Sequence, residues 1–207
     1  MNDTFEQFFQ SSEPMRDKYL SRLFGLFSEH VVHAWCASPR STYKDLGRPT
    51  LLSPNEPRGH TIDFTLKHRE SGYMYVAELK CELEYNNYKY LQLTHPDQLR
   101  HHTSTAFAKF LQIAADPSAL EVRRGGKPQV VDGAILIWGA INSNGRLTVM
   151  QAHGFADILS LESMLIDLRT WKPDQWTGFI IDLRTWTDQL FDFLSGPATS
   201  SGSPCQV

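Results

Sequence analysis

His60-Thr61-Ile62-Asp63-Phe64-Thr65-Leu66 and Tyr73-Met74-Tyr75-Val76-Ala77-Glu78-Leu79-Lys80 flank the short polar segment Arg69-Glu70-Ser71-Gly72. Both runs are rich in β-branched and aromatic residues, so they read as two strands joined by a hairpin turn. With the turn centred between Glu70 and Ser71, Asp63 falls directly opposite Glu78. Cross-strand partners hold their β-carbons about 4.5–5.5 Å apart, so two carboxylates are expected to face each other on one side of a sheet. Strand side chains alternate with period two, which puts Lys80 on the same side as Glu78. Like charges directly opposite one another destabilise a sheet. The pattern makes physical sense where a divalent cation sits between the acids and an ammonium lies beside them. The plainer alternative is a solvent-facing hairpin with an exposed Glu-Lys pair.

The constellation Asp63-x14-Glu78-x-Lys80 resembles the PD-(D/E)XK nuclease superfamily, whose fold is restriction-endonuclease-like. Ile62 stands where the motif's name has proline. The resemblance implies that Asp63 and Glu78 are metal ligands for Mg²⁺ or Mn²⁺. It also implies that Lys80 orients or activates the attacking water. Hard cations favour carboxylate oxygen and retain waters, and cleavage of a phosphodiester needs positive charge where negative charge accumulates. Many members carry a glutamate on the first core helix. Glu29 is the candidate here, because its helical neighbours Gly25, Leu26, Val32, His33 and Cys36 are mostly small or apolar. A boundary glutamate paired with a nearby base is the competing reading. Gln98 is a possible auxiliary group, since some members place a glutamine after the Glu-x-Lys strand. The fold expected from the resemblance is α/β, with a mixed sheet of about five strands and helices on both faces.

Composition sets the outer bounds. The chain has 207 residues, 41% hydrophobic and 21% charged, which suits one domain with an ample core over residues 1–195. The stretch from 196 to 207, rich in Gly, Ser and Pro, reads as a flexible tail. The net charge of −3 gives no general attraction to nucleic acid, so basic residues must be concentrated locally. Arg48 and Arg58 lie in the Pro- and Gly-punctuated segment 39–59, and Arg123, Arg124 and Lys127 surround Gly125-Gly126. Each of these loops either rides over a phosphate backbone or is an ordinary solvated turn. Cys36, Cys81 and Cys205 show no CxxC spacing and are odd in number, which favours a reducing compartment. No apolar run approaches a membrane span and the N-terminus shows no signal pattern. The expected location is the cytoplasm.

Along the rest of the chain, residues 3–11 read as a short helix. Residues 14–36 read as a longer one, with Met15, Tyr19, Leu23, Phe27 and Val31 as its stripe. Thr50-Leu51-Leu52 reads as an edge strand. Pro96 opens a helix that runs to about Ala115, with Gln98, His101 and His102 in its first turns. Adjacent helical residues point in different directions, so the two histidines are expected on the surface rather than as a metal pair. Val130–Trp138 reads as a buried central strand and 147–150 as the next strand. Residues 155–169 read as a helix, 176–183 as a strand and 187–194 as a last helix. Ile-Asp-Leu-Arg-Thr-Trp occurs at 166–171 and again at 181–186; its flanks do not repeat, and coincidence in two different contexts is the expectation.

Metal-dependent hydrolysis of nucleic-acid phosphodiester bonds, most naturally in DNA, is the function these residues point to. Two alternatives belong to other classes: a catalytically silent, nuclease-like binding or assembly module, and a metal-dependent hydrolase of a small phosphoester. An open cleft lined by Arg48, Arg58 and Arg123 favours a polymeric substrate. A chain of this size has little room for a separate recognition domain, so specificity is expected from loops, a homodimer or a partner protein.

Overall fold

The computed structural model describes residues 4–54 and 56–196. In chain order the elements are α1 (Phe5–Phe9), α2 (Pro14–Ala37), β1 (Tyr43–Asp45), β2 (Thr50–Leu52), β3 (His60–Thr61), β4 (Phe64–His68), β5 (Met74–Lys80) and β6 (Gln92–Leu93). A 3-10 turn (Pro96–Leu99) precedes α3 (Thr105–Ala115), β7 (Glu121–Arg124), β8 (Lys127–Gln129), β9 (Gly133–Trp138) and β10 (Ala140–Ile141). Then come α4 (Ser143–His153), β11 (Asp157–Ser160), α5 (Leu161–Trp171) and α6 (Asp174–Ser195).

The main sheet has five strands in the order β1-β4-β5-β9-β11. β1, β4 and β5 pair antiparallel, while β5, β9 and β11 pair parallel, so the sheet is mixed and the fold α/β. All six residues of β9 are buried, as a central strand covered on both faces requires. One face, carrying Val76, Ala134, Leu136 and Trp138, packs with Phe107, Phe110 and Ile113 of α3. On the other, the rings of His33 and Trp35 from α2 meet Phe64 and Tyr43. A second sheet, β3-β2-β7-β8, adds Leu51 and Val122 to the α3 core. β2 therefore lies inside a sheet rather than at its edge.

Several expected elements differ. Val31 of the expected stripe is buried, but Met15 and Tyr19 are exposed, and α2 buries Phe24, Ser28, Val32 and Trp35 in addition. Pro96 begins only the 3-10 turn; α3 starts at Thr105, where the Ser104 side chain accepts a hydrogen bond from Phe107 N–H at 3.2 Å. The stretch 147–150 is helical, not extended. Asn142 caps α4 by accepting from Gly145 N–H at 2.5 Å, and Gly154 ends it at φ 79°, the left-handed conformation glycine adopts freely. Residues 157–160 form a strand because β9 offers them an open parallel edge, so the helix read from 155 begins at Leu161. The separate strand and helix read over 176–194 are one 22-residue helix, α6. Its Thr185 and Thr187 hydroxyls bond back to the Ile181 and Leu183 carbonyls, the geometry by which a threonine is accommodated within a helix. Both copies of Ile-Asp-Leu-Arg-Thr-Trp are thus helical, one in α5 and one in α6.

The chain divides into two compact units, Met1–Arg169 and Thr170–Val207. The first holds both larger sheets. The described part of the second is the end of α5 and the helix α6. The flexible tail read over 196–207 lies, apart from Gly196, outside the described residues. No helix among the described residues is long and apolar enough to cross a membrane.

Candidate functional site

The hairpin register sets the site. Phe64 pairs with Ala77 and Thr65 with Val76, and one step further the same register puts Asp63 opposite Glu78. The two acids interlock through the backbone of each other's strand. Asp63 N–H donates to Glu78 Oε2 at 3.3 Å, and Leu79 N–H donates to Asp63 Oδ2 at 2.8 Å. Lys80 Nζ donates to Glu78 Oε1 at 2.7 Å and lies 5.4 Å from the centre of the Phe107 ring. Arg48 Nη2 reaches Asp63 Oδ1 at 3.2 Å. The structure therefore brings Asp63, Glu78, Lys80 and Arg48 together.

This is no solvent-facing hairpin: the Glu78 side chain is 7% exposed and that of Lys80 20%. Burial pushes the Glu78 carboxyl above its ordinary range, and the neighbouring Asp63 charge adds to the rise. The Lys80 hydrogen bond and charge work against it. Glu78 is thus a carboxylate whose negative form is destabilised unless positive charge stays close.

The remaining candidates are placed as follows. Glu29 is half-buried on α2 and makes no hydrogen bond or ion pair with Asp63, Glu78 or Lys80. Its charge acts on His33, whose Nδ1 lies 2.9 Å from Asp45 Oδ2. Gln98 is buried and committed to the loop before it. Its Oε1 accepts from Thr94 N–H at 2.6 Å, and its Nε2 donates to the Lys89 and Gln92 carbonyls, both at 2.9 Å. With both ends of the amide so engaged, Gln98 shapes residues 89–95. Arg123 is paired with Glu121 at 2.7 Å, and Arg124 donates to the Leu46 carbonyl at 3.1 Å. Arg58 and Lys127 are exposed, and Gly125-Gly126 form the β7–β8 turn with positive φ at both.

Two groups escape a reading of the sequence. Lys109 of α3 is buried and bonds Ser53 Oγ and, at 2.7 Å, Glu56 Oε2; a lysine inside an apolar helix pattern gives no sign of such partners. His101 and His102 are not on a helix, and their rings meet at 3.7 Å. Tyr85 stacks on His101 at 4.7 Å, and Phe107 and Trp138 enclose His102. Burial and His101 hold His102 down to about 4. Asn86, Asn87 and Tyr88, all at positive φ, carry the chain from β5 back to these rings.

No family model, no curated protein and no solved structure matches this chain.

Proposed function

We propose that this chain is a metal-dependent nuclease with a restriction-endonuclease-like core, hydrolysing phosphodiester bonds in nucleic acid, with DNA as the substrate. The observation that carries the reading is the interlocked Asp63–Glu78 pair with Lys80 bonded to its buried member. The donor set suits a hard divalent cation such as Mg²⁺ or Mn²⁺, since it consists of carboxylate oxygens. The buried Glu78 charge, raised in energy by Asp63, is what a bound cation relieves. Asp63 and Glu78 would hold the ion. Bound there, it supplies Lewis acidity toward a phosphoryl oxygen and a water of lowered pKa.

The other roles belong to the chain itself. Backbone N–H groups of Asp63 and Leu79 fix the carboxylate orientations, so the acids need little rearrangement to act together. The Lys80 ammonium, restrained by Glu78 and by the Phe107 ring, holds a water in place or meets charge developing on phosphate. Arg48, more exposed than its partner Asp63, can exchange that carboxylate for a phosphate oxygen. Arg58 and the β7–β8 turn offer further phosphate contacts. A homodimer or a partner protein would supply sequence selectivity.

The test is incubation of the full chain with plasmid and with single strands, with and without Mg²⁺ or Mn²⁺. Cleavage that requires the metal supports the reading. No cleavage of any nucleic acid with either metal would leave a nuclease-like binding module as the better account.

A further inference from the structure

A second group of donors gathers just past the end of β5. Glu82 lies two residues beyond the strand, while His101 and His102 lie between the 3-10 turn and α3. One ligand atom from each falls within 4.8 Å of the others.

His101 Nδ1 is 2.7 Å from the Gln98 backbone carbonyl. A carbonyl only accepts, so Nδ1 carries the hydrogen and the neutral ring presents a lone pair at Nε2. That lone pair faces Glu82 Oε2 at 2.8 Å. Two acceptors at this distance repel unless a proton or a cation lies with them. An Nδ1–H held by a backbone carbonyl is also how proteins orient an imidazole whose other nitrogen binds metal.

His102 separates a proton from a metal. Its side chain is 6% exposed, and its Nδ1 is turned toward Glu82 Oε1 at 3.6 Å, too far for a hydrogen bond. Its Nε2 is buried without a partner. Neither nitrogen of His102 is thus hydrogen-bonded within the protein, and Nδ1, the one that faces Glu82, is left open to a cation. A proton on His101 would satisfy His101 and Glu82 and leave His102 as it is. A cation shared by all three engages His102 as well, through Nδ1, and leaves its Nε2 unchanged.

We propose that Glu82, His101 and His102 form a second metal site, taking a borderline transition-metal cation of the Zn²⁺ class, with water completing the coordination. Two imidazoles and one carboxylate suit such an ion, whereas Mg²⁺ and Ca²⁺ prefer oxygen throughout. Glu82 also borders an open cleft of about 680 Å³, lined by Lys18, Arg22, Cys81 and Tyr85 among others, which gives the ion and its water an entry path. A cation here ties the residues leaving β5 to those entering α3, the two elements that hold Lys80 in place.

The experiment is titration of the EDTA-stripped full chain with Zn²⁺ against a chromophoric chelator, repeated with Co²⁺ and read by visible absorption. One equivalent of Zn²⁺ is expected, with Co²⁺ bands of a nitrogen- and oxygen-ligated ion. Affinity should fall at least about tenfold in E82Q and in H101Q. Glu82 is half exposed, so E82Q keeps its fold, and circular dichroism checks both variants. D63N should bind Zn²⁺ as wild type does. Undiminished affinity in E82Q and H101Q, no binding by wild type, or loss of the ion in D63N would each overturn the proposal. None of these readouts depends on whether the chain cleaves nucleic acid.

Discussion

If the chain is the proposed nuclease, Lys80 is the residue at which binding and chemistry should part. As a counter-ion for Glu78 alone, it should be replaceable by arginine. If its compact ammonium holds a water at one fixed place, a planar guanidinium cannot reproduce it. We expect Lys80→Ala to bind DNA near wild-type affinity at matched salt and to cleave at least about a hundredfold more slowly, with Lys80→Arg giving little rescue. Single-turnover rates and binding isotherms together check this, and a Lys80→Ala rate equal to wild type would remove Lys80 from the chemistry. His33 gives a separate, titratable handle. The hydrogen bond to Asp45 raises its pKa above 6.5, and the Asp45 and Glu29 charges add to the rise, against burial and Arg48. Its stabilising contribution is therefore complete below about pH 6.5 and lost as pH rises through the folded-state pKa. Urea unfolding at pH 6 and pH 8 should show a smaller pH effect in His33→Gln than in wild type; equal effects would mean the pair contributes nothing.

At the scale of elements, the β7–β8 hairpin and α3 make contrasting predictions. Arg123→Ala with Lys127→Ala should weaken DNA binding and flatten its salt dependence while sparing the saturated cleavage rate. An unchanged salt slope would take this turn out of the interface. Ser104→Ala removes the hydrogen bond that caps α3 and should cost about 1 kcal/mol in unfolding experiments. The β4–β5 hairpin was legible because two runs rich in β-branched and aromatic residues around a turn ending in Gly72 constrain register over a few residues. Elements whose identity depends on distant partners were not. Residues 157–160 look helical by spacing and become a strand only because β9 has a free edge beside them. The β-branched run near Val149 is helical because Asn142 and Gly154 cap it. His101 and His102 were misplaced for a related reason: once α3 starts at Thr105, helical geometry no longer separates their rings.

On the scale of the whole molecule, the acidic pair at the end of the hairpin is a local loss of stability that a bound ion should reverse. Added Mn²⁺ should raise the melting temperature of wild type by mass action and raise that of Asp63→Asn much less. An equal rise in both would put the ion elsewhere. The central buried strand and the positions of Asp63, Glu78 and Lys80 follow from pattern and register. The histidine cluster does not, because it arises from contacts between segments far apart in sequence. The most direct test of the central claim is cleavage of supercoiled plasmid by wild type and by Asp63→Asn, purified in parallel, in Mn²⁺ and in EDTA. The account predicts nicked or linear product only from wild type in Mn²⁺. Equal cleavage by both proteins, or none by wild type, would contradict it.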